Sequence, residues 1–245
     1  MSFQARTQAP FLLERQRAGV LRTAHGGASR AAPDNTLEAI AAALHTQLDF
    51  VELDVHLTRD GELLLWHDPQ LVTPDGLFEI AGHTLAELRA LPLIGGTLAT
   101  LPQATELLRG HCGVMIDLKA PALERPIAQA LRASDFWDVV VCGGYLETLA
   151  RLKAELPQLG VSLTPNLPFY REPAAHLPQL PFLDALTVYW RAVGPALMRA
   201  AQQHGVLVLA WTVDHPPAAA HLLAQGVHGL TSNNLALLEG VRRGG

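Results

Sequence analysis

Two carboxylates and two histidines lie close together in one short part of the chain. Glu52 and Asp54 stand two residues apart in the apolar run FVELDVHL, and His25 and His67 flank that run on either side. Because side chains alternate along a strand, both carboxylates would project from one face. Burying two carboxylates is costly without a cation, and a divalent metal ion is the simplest way to offset the cost. A solvated pair on an edge strand would have the same spacing, so alternation alone leaves both interpretations open.

A second strand-like run, VMIDLKAP, has the same arrangement, because Asp117 and Lys119 would share a face. Asp117 would then join Glu52 and Asp54 as a third carboxylate from a neighbouring strand. Oxygen ligands of this kind suit one hard divalent cation, Mg²⁺ or Ca²⁺, and not zinc, which prefers nitrogen and sulfur.

The elements that must position these residues alternate between strand-like and helix-like segments. About eight such units predict a (β/α)₈ TIM barrel more than an open sheet. Asn35 is a plausible N-cap of the first helix after a strand, with Glu38 in the capping-box position. Breaker residues over 69–100 predict an inserted loop region after strand 2, with one short helix over Leu85–Leu91, and residues 164–181 read as a proline-rich loop.

The barrel fold has a chemical consequence, since active sites of such barrels lie at the carboxyl ends of the strands. Polar or aromatic residues are predicted at those ends, and each histidine of the proposed pair ends a predicted strand. This set consists of His25, Glu52, Asp54, His67, Asp117, Lys119 and Trp211.

Composition limits the alternatives. A chain of 245 residues with 49% hydrophobic content is expected to form a single domain over residues 1–245. The net charge of −5 gives no basic surface for a nucleic acid. The two cysteines fit a reducing compartment, and the sequence shows neither a signal peptide nor an apolar run of about eighteen residues. A cytoplasmic protein without a membrane span is expected, and its oligomeric state is left open.

Five short motifs follow one another in the first part of the chain. They are His25-Gly26-Gly27, Pro33-Asp34-Asn35-Thr36, Glu52-Leu53-Asp54-Val55, Thr58-Arg59-Asp60-Gly61 and His67-Asp68. In this order they resemble the glycerophosphodiester phosphodiesterase family, whose members have His-Arg-Gly, Pro-Glu-Asn-Thr, Glu-x-Asp-Val, Thr-x-Asp-Gly and His-Asp. Three later stretches extend the resemblance over most of the chain: Asp117-Leu118-Lys119, Trp211-Thr212-Val213 and Gly226-Val227-His228-Gly229.

The resemblance implies metal-dependent hydrolysis of a small-molecule glycerophosphodiester to glycerol 3-phosphate and an alcohol. It implies that His25 and His67 serve as general acid and base, in an order that the sequence does not fix. The cation would be held by Glu52, Asp54 and Asp117, and Lys119 would place a fixed positive charge beside the phosphate. Trp211, at a strand end, would form part of the wall of the substrate pocket.

Four positions depart from the family pattern. Gly26 replaces the family arginine that grips the phosphate, and Arg30, four residues on, is a candidate to replace it. Asp34 stands for a glutamate, and Asp117 is one methylene shorter than the usual glutamate. Residues 231–233, Thr-Ser-Asn, stand where the family usually has Thr-Asp.

Two alternatives to this reaction remain open at the level of sequence. One is a lysophospholipase D-like phosphodiesterase, because the loops that read the alcohol are not defined by motifs. The other is a non-catalytic barrel that binds a phosphorylated ligand, which the missing arginine at Gly26 makes possible. The two histidines argue against the second alternative, because binding alone needs no proton-transfer groups.

Overall fold

Short apolar segments form strands that pair in parallel and close on themselves. The structure is a computed structural model that describes residues 3–93 and 97–241. In order around the barrel, the strands are β1 (Leu21–His25), β2 (Phe50–Leu57), β6 (Gly113–Leu118), β7 (Val139–Gly143), β8 (Gly160–Leu163), β9 (Ala185–Tyr189), β10 (Leu207–Trp211) and β11 (Gly229–Ser232). Because β1 pairs with both β11 and β2, the eight parallel strands form a closed ring, and the predicted (β/α)₈ barrel is confirmed.

Three further strands lie between β2 and β6. β3 (Leu63–Leu65) runs back along β2 in antiparallel pairing, and β4 (Gln70–Thr73) forms a separate hairpin with β5 (Gly76–Glu79). The region 69–100, predicted as an inserted loop with one short helix, thus also contains this hairpin. Its short helix is present over Leu85–Arg89, and residues 94–96 of the region lie outside the described residues.

Helices connect the strands and cover the outside of the barrel. They are α1 (Pro10–Arg17), α2 (Leu37–Ala43), α3 (Leu85–Arg89), α4 (Leu101–Leu108), α5 (Glu124–Ser134), α6 (Leu146–Glu155), α7 (Leu167–Arg171), α8 (Pro173–His176), α9 (Pro195–Gln203), α10 (Pro216–Ala224) and α11 (Leu235–Gly240), with 3₁₀ turns at Ile80–Gly82, Leu177–Gln179 and Trp190–Ala192. In the part of the chain that the structure describes, no helix combines the length and apolar character needed to cross a membrane.

The segment 164–181 is mostly helical, and the prediction of a proline-rich loop is wrong there. Three of its five prolines, Pro168, Pro173 and Pro178, lie in the first turns of α7, α8 and the 3₁₀ turn Leu177–Gln179. Proline is favoured at that place, because the first N–H groups of a helix have no intrahelical partner to lose.

The start of α2 also differs from the prediction. Thr36, and not Asn35, is the N-cap, and its hydroxyl accepts a hydrogen bond from the Ala39 N–H at 3.2 Å. Asn35 has φ +63°, in the left-handed region that asparagine tolerates better than most residues. Its side chain therefore points away from the helix, toward β2.

An apolar layer fills the amino end of the barrel interior. Alternate residues of the strands face inward, and those nearest the amino end are apolar: Leu21, Phe50, Met115, Val140, Leu207 and Leu209. Leu12 of α1 is buried in this cluster and closes the barrel from below. The next inward positions on β1, β2 and β6 are polar, so the same alternation that builds the core sends polar side chains to the carboxyl end.

Candidate active site

Three carboxylates converge at the carboxyl ends of β2 and β6. Asp54 and Asp117 lie side by side in the strand register, and Glu52 lies one inward position below Asp54. One oxygen atom from each carboxylate lies within 4.8 Å of the others. Hard oxygen donors at this spacing can hold a magnesium or calcium ion. The predicted convergence of the three carboxylates is therefore present.

Lys119 binds two of the three carboxylates. Its Nζ lies 2.8 Å from Oδ1 of Asp54 and 2.6 Å from Oδ2 of Asp117. Three carboxylates and one ammonium leave two negative charges in the ionised cluster. The chemistry of the donor set thus fits a divalent cation in both charge and ligand type.

Electrostatics distinguish Glu52 from its neighbours. Burial raises the pKa of the Glu52 carboxyl well above its usual range, and the nearby carboxylates of Asp54 and Asp117 raise it further. Lys119 and the Gly26 N–H, which donates to Oε2 at 3.2 Å, oppose this rise in pKa. For Lys119, burial acts against the charge, yet the two aspartates hold its pKa above the ordinary lysine value. The cluster therefore favours added positive charge.

Asn35 orients Asp54 through a double contact. Its Nδ2 donates to Oδ2 of Asp54 at 2.8 Å, and its Oδ1 accepts from the Asp54 backbone N–H at 2.9 Å. Both residues are buried. Asp54 thus has one oxygen bound to Asn35 and the other to Lys119. Sequence reasoning missed this role, because Asn35 was interpreted as a helix cap.

His25 ends β1 beside the carboxylates. Its Nε2 lies 3.9 Å from Oε2 of Glu52, and its Nδ1 lies 2.8 Å from Oδ1 of Asn233, which follows β11. Asn233 is bound in turn to Asp214 after β10. In the sequence, Asn233 stands out only as part of the departure at residues 231–233, with no role assigned, and nothing marks Asp214, although both follow strands at the same end of the barrel.

His67 follows β3 and is more exposed than His25. The exposed fraction of its side chain is 67%, compared with 30% for His25. Its Nδ1 lies 2.9 Å from Oδ1 of Asp68, and its carbonyl is 3.2 Å from Nε2 of His56. Asp68 therefore contacts this histidine directly and can orient its ring.

One cavity of about 360 Å³ brings the site residues together. His25, His67, the three carboxylates, Lys119 and Trp211 all line it. Cys142, whose Sγ lies 3.7 Å from Oδ1 of Asp117, forms part of the wall. Trp211 lines the cavity, and its buried indole Nε1 has no hydrogen-bond partner among the described residues.

The loop after β1 does not bring Arg30 into this cavity. Arg30 is absent from the residues that line it, and its Nη2 lies 3.8 Å from Oδ2 of Asp214. Gly26 has φ +59°, and a Cβ at that position would lie 2.9 Å from Cβ of Asp34. The place of the family arginine is thus closed by Asp34, and this geometry does not support Arg30 as its replacement.

The sequence profile of the glycerophosphoryl diester phosphodiesterase family matches residues 25–237. The chain belongs to this family. The family and the enzyme class expected from the motifs are thereby confirmed.

Relatives and solved structures agree with this membership. A glycerophosphodiester phosphodiesterase of Caldanaerobacter subterraneus subsp. tengcongensis is 27% identical over 91% of this chain and 98% of its own length. One of Bacillus subtilis is 26% identical over 92% of this chain and 87% of its own length.

Among solved structures, an Oleispira antarctica phosphodiesterase in complex with the product sn-glycerol-3-phosphate has a TM-score of 0.75 at 25% identity, covering 89% of this chain and 95% of that protein. The Thermotoga maritima glycerophosphodiester phosphodiesterase matches with a TM-score of 0.75 at 21% identity, over 91% of this chain and 98% of that one, which supports the fold.

Proposed function

We propose that the protein hydrolyses a glycerophosphodiester to glycerol 3-phosphate and an alcohol, with one divalent cation, Mg²⁺ or Ca²⁺, bound by Glu52, Asp54 and Asp117. The observation that carries this proposal is the convergence of these carboxylates in a cavity that two histidines also line. The Oleispira antarctica protein, which is similar over most of its length, binds sn-glycerol-3-phosphate as product.

The cation would withdraw charge from the phosphoryl oxygens when bound. Lys119 holds its ammonium against Asp54 and Asp117, at the rim of the same cluster, and would add positive charge beside a phosphate. The indole of Trp211 would form part of the wall against which the substrate lies. Arg30 is not included in this set, because its guanidinium faces Asp214.

His25 and His67 would carry the proton transfers. Hydrolysis requires a base that takes a proton from the attacking hydroxyl and an acid that gives one to the leaving alkoxide. Both imidazoles line the cavity, and each has its Nδ1 engaged by a neighbouring side chain. Nε2 of each ring is therefore the atom that would exchange a proton with substrate.

A second candidate reaction has an observation in its favour. A neighbouring cavity of about 290 Å³ shares Gly144 and Thr164 with the first, and much of its lining is apolar, including Leu146, Leu163 and Phe169. A glycerol moiety that carries an acyl chain would find apolar surface there. This supports a lysophospholipase D-like activity of the same site.

The test measures glycerol 3-phosphate released from glycerophosphocholine and, separately, lysophosphatidic acid released from lysophosphatidylcholine. Turnover is expected with Mg²⁺ or Ca²⁺ and is expected to be lost in EDTA and in His25→Ala, by roughly a hundredfold or more. His45→Ala, at an exposed histidine, is the matched control and should keep wild-type turnover. Metal-independent turnover, or none with any diester, would contradict the proposal.

We also propose that the reaction takes place in the cytosol. Cys112 and Cys142 are both buried free thiols, which fits a reducing compartment. Fractionation of cells that express the tagged protein tests this, and its recovery from the membrane or medium fraction would contradict it.

A further inference from the structure

Asp214 and Asn233 form a chain of hydrogen bonds that ends on His25. Oδ1 of Asp214 accepts from the Asn233 backbone N–H at 2.8 Å and from the Ser232 hydroxyl at 2.9 Å. Its Oδ2 accepts from the Asn233 side-chain amide at 2.8 Å. The other end of that amide, Oδ1, lies 2.8 Å from Nδ1 of His25. Two loops on neighbouring strands thereby reach the proposed proton-transfer residue on a third.

The carboxylate decides which way the amide of Asn233 points. An ionised carboxylate only accepts hydrogen bonds, so the group 2.8 Å from it must be the amide NH₂. A flipped amide would place two oxygen atoms against each other at that distance. The carbonyl oxygen of Asn233 is therefore fixed on the side of His25, where Ser29 also donates to it at 2.9 Å.

The fixed carbonyl in turn decides which nitrogen of His25 carries the proton. A carbonyl oxygen is an acceptor only, so Nδ1 of His25 must be the N–H donor in this contact. In the neutral ring, the lone pair is then on Nε2, the nitrogen that faces Glu52 across 3.9 Å. The tautomer of a histidine ring is commonly set in this way by the hydrogen bond at its other nitrogen.

We infer that Asp214 is a positioning residue that acts through Asn233 to hold His25 in the Nδ1–H tautomer, with Nε2 free to exchange a proton with substrate. The inference rests on the proposed acid–base role of His25. It also gives Arg30 a role outside the cavity. Its guanidinium lies beside Asp214 and favours the ionised carboxylate that this series of hydrogen bonds requires.

Asp214→Asn should reverse the donor and acceptor roles in the hydrogen bonds that run from position 214 through Asn233 to His25. The new amide NH₂ would face the NH₂ of Asn233, so the Asn233 amide would turn and present its NH₂ to His25. The ring would then favour the Nε2–H tautomer. We expect kcat for glycerophosphocholine to fall by about ten- to a hundredfold, as is typical when a group that orients a site histidine is changed, with KM nearly unchanged.

The exchange variant, Asp214→Asn with Asn233→Asp, should restore an acceptor opposite Nδ1 of His25. Here the carboxylate at position 233 accepts from the amide at 214 and from Nδ1–H of His25, and most of the lost kcat should return. His215→Ala is the matched control. It changes the exposed residue that follows Asp214, whose side chain does not cap α10, so its kcat should be close to wild type.

The deciding measurement is ¹⁵N NMR of the histidine-labelled protein with Mg²⁺, at alkaline pH where a histidine ring is neutral. The His25 signals, assigned from their loss in His25→Gln, should show Nδ1–H in the wild type and the exchange variant, and a shift toward Nε2–H in Asp214→Asn. An Nε2–H ring in the wild type, or an unchanged tautomer and kcat in Asp214→Asn, would overturn the inference. Wild-type turnover by His25→Gln would instead defeat the proposed role of His25, and the spectra would still decide whether Asp214 sets the ring.

Discussion

At the amino end of the barrel, Asp49, Asp184 and His228 each precede a strand and each hold the neighbouring strand in the same way. Their side chains accept from the backbone N–H of Arg22, Val161 and Val208, at 2.9, 2.8 and 3.0 Å. Their own backbone N–H groups donate to the carbonyls of those same three residues. In each case the side chain accepts a backbone hydrogen bond from the neighbouring strand and so extends the pairing of the two strands by one residue.

The carboxyl end uses buried polar side chains differently. There the carboxylates of Glu52, Asp54 and Asp117 face a cavity, and the ammonium of Lys119 contacts only the two aspartates. At the amino end, by contrast, Asp184 is paired with Lys153 at 2.8 Å, and Asp49 has two arginines within 3.8 Å. The amino end thus balances its buried charges within the fold, whereas the carboxyl end retains negative charge that a ligand can balance. The first arrangement should govern stability and the second activity.

The largest expected effect is at the carboxyl end. Glu52→Gln should lower turnover of glycerophosphocholine by more than the roughly ten- to hundredfold loss typical of groups that only support metal ligands. Without a divalent cation the variant should melt at a higher temperature than the wild type, because burial disfavours the charged form of Glu52. Calorimetry with and without Ca²⁺ checks this, because the cation should clearly raise the melting temperature of the wild type only.

Glu62→Gln, at an exposed carboxylate beyond β2, is the control and should change neither quantity. If Glu52→Gln were less stable than the wild type without the cation, Glu52 would stabilise the fold as the buried charges of the amino end do. The contrast between the two ends would then not hold for this carboxylate.

Asp184→Ala should give the opposite pattern. Removing one partner of a buried ion pair leaves the Val161 N–H without its acceptor and Lys153 with only the Leu159 carbonyl, at a cost of about 3 kcal/mol in the free energy of unfolding. Turnover per folded molecule should remain at the wild-type value. Urea unfolding and turnover, measured on the same sample, check both statements.

The exposed pair of Arg132 and Glu155 provides the comparison for this variant. Glu155→Ala should cost at most about 1 kcal/mol, because solvent screens a pair at the surface. A loss of turnover in folded Asp184→Ala would show that the two ends are not independent.

His228 should make the amino end sensitive to acid. Burial lowers its pKa from 6.5 to about 4, so the unfolded chain binds a proton at a higher pH than the folded protein does. The stability that neutral His228 contributes is therefore complete above pH 6.5 and is lost as the pH falls toward 4, by about 3 kcal/mol in all.

Urea unfolding across this pH range is the measurement. His228→Asn offers an oxygen acceptor to the Val208 N–H and does not titrate, so its stability should depend less steeply on pH. If the free energy of unfolding fell equally steeply with pH in the two proteins, His228 would be excluded as the source of the acid sensitivity.

The smallest effect is expected beside His67. Asp68 contacts the Nδ1 of this histidine, but both side chains are about two-thirds exposed, so water can replace the carboxylate. Asp68→Asn should lower kcat by less than about tenfold, which is less than the loss expected for Asp214→Asn. Steady-state kinetics check this, with Asp75→Asn in the hairpin loop as the control. A larger loss of kcat in Asp68→Asn than in Asp214→Asn would show that the partner of His67 matters more for turnover than the partner of His25.

The sequence was sufficient for the barrel and for the convergence of the carboxylates, because both depend on local periodicity. Alternation puts Glu52 and Asp54 on one face, and parallel pairing then brings Asp117 beside them. A proline in the first turn of a helix resembles a proline in a loop, which is why α7 and α8 were missed.

The partners of the site residues were missed for a different reason. Asn35 binds Asp54 only because its backbone adopts φ +63°, which a helix-cap pattern does not reveal. Asn233 reaches His25 across more than 200 residues of sequence, a contact that exists only when β11 closes the barrel against β1. Such contacts depend on closure and on single backbone angles, and neither leaves a local pattern.

The geometry around Gly26 has a consequence for protein engineering. The first β-carbon of any new side chain there would meet Asp34 at 2.9 Å, so the family arginine cannot be restored by one substitution without displacing its neighbour. The two positions form a linked pair, and a designer who wants the arginine back must redesign position 34 in the same step.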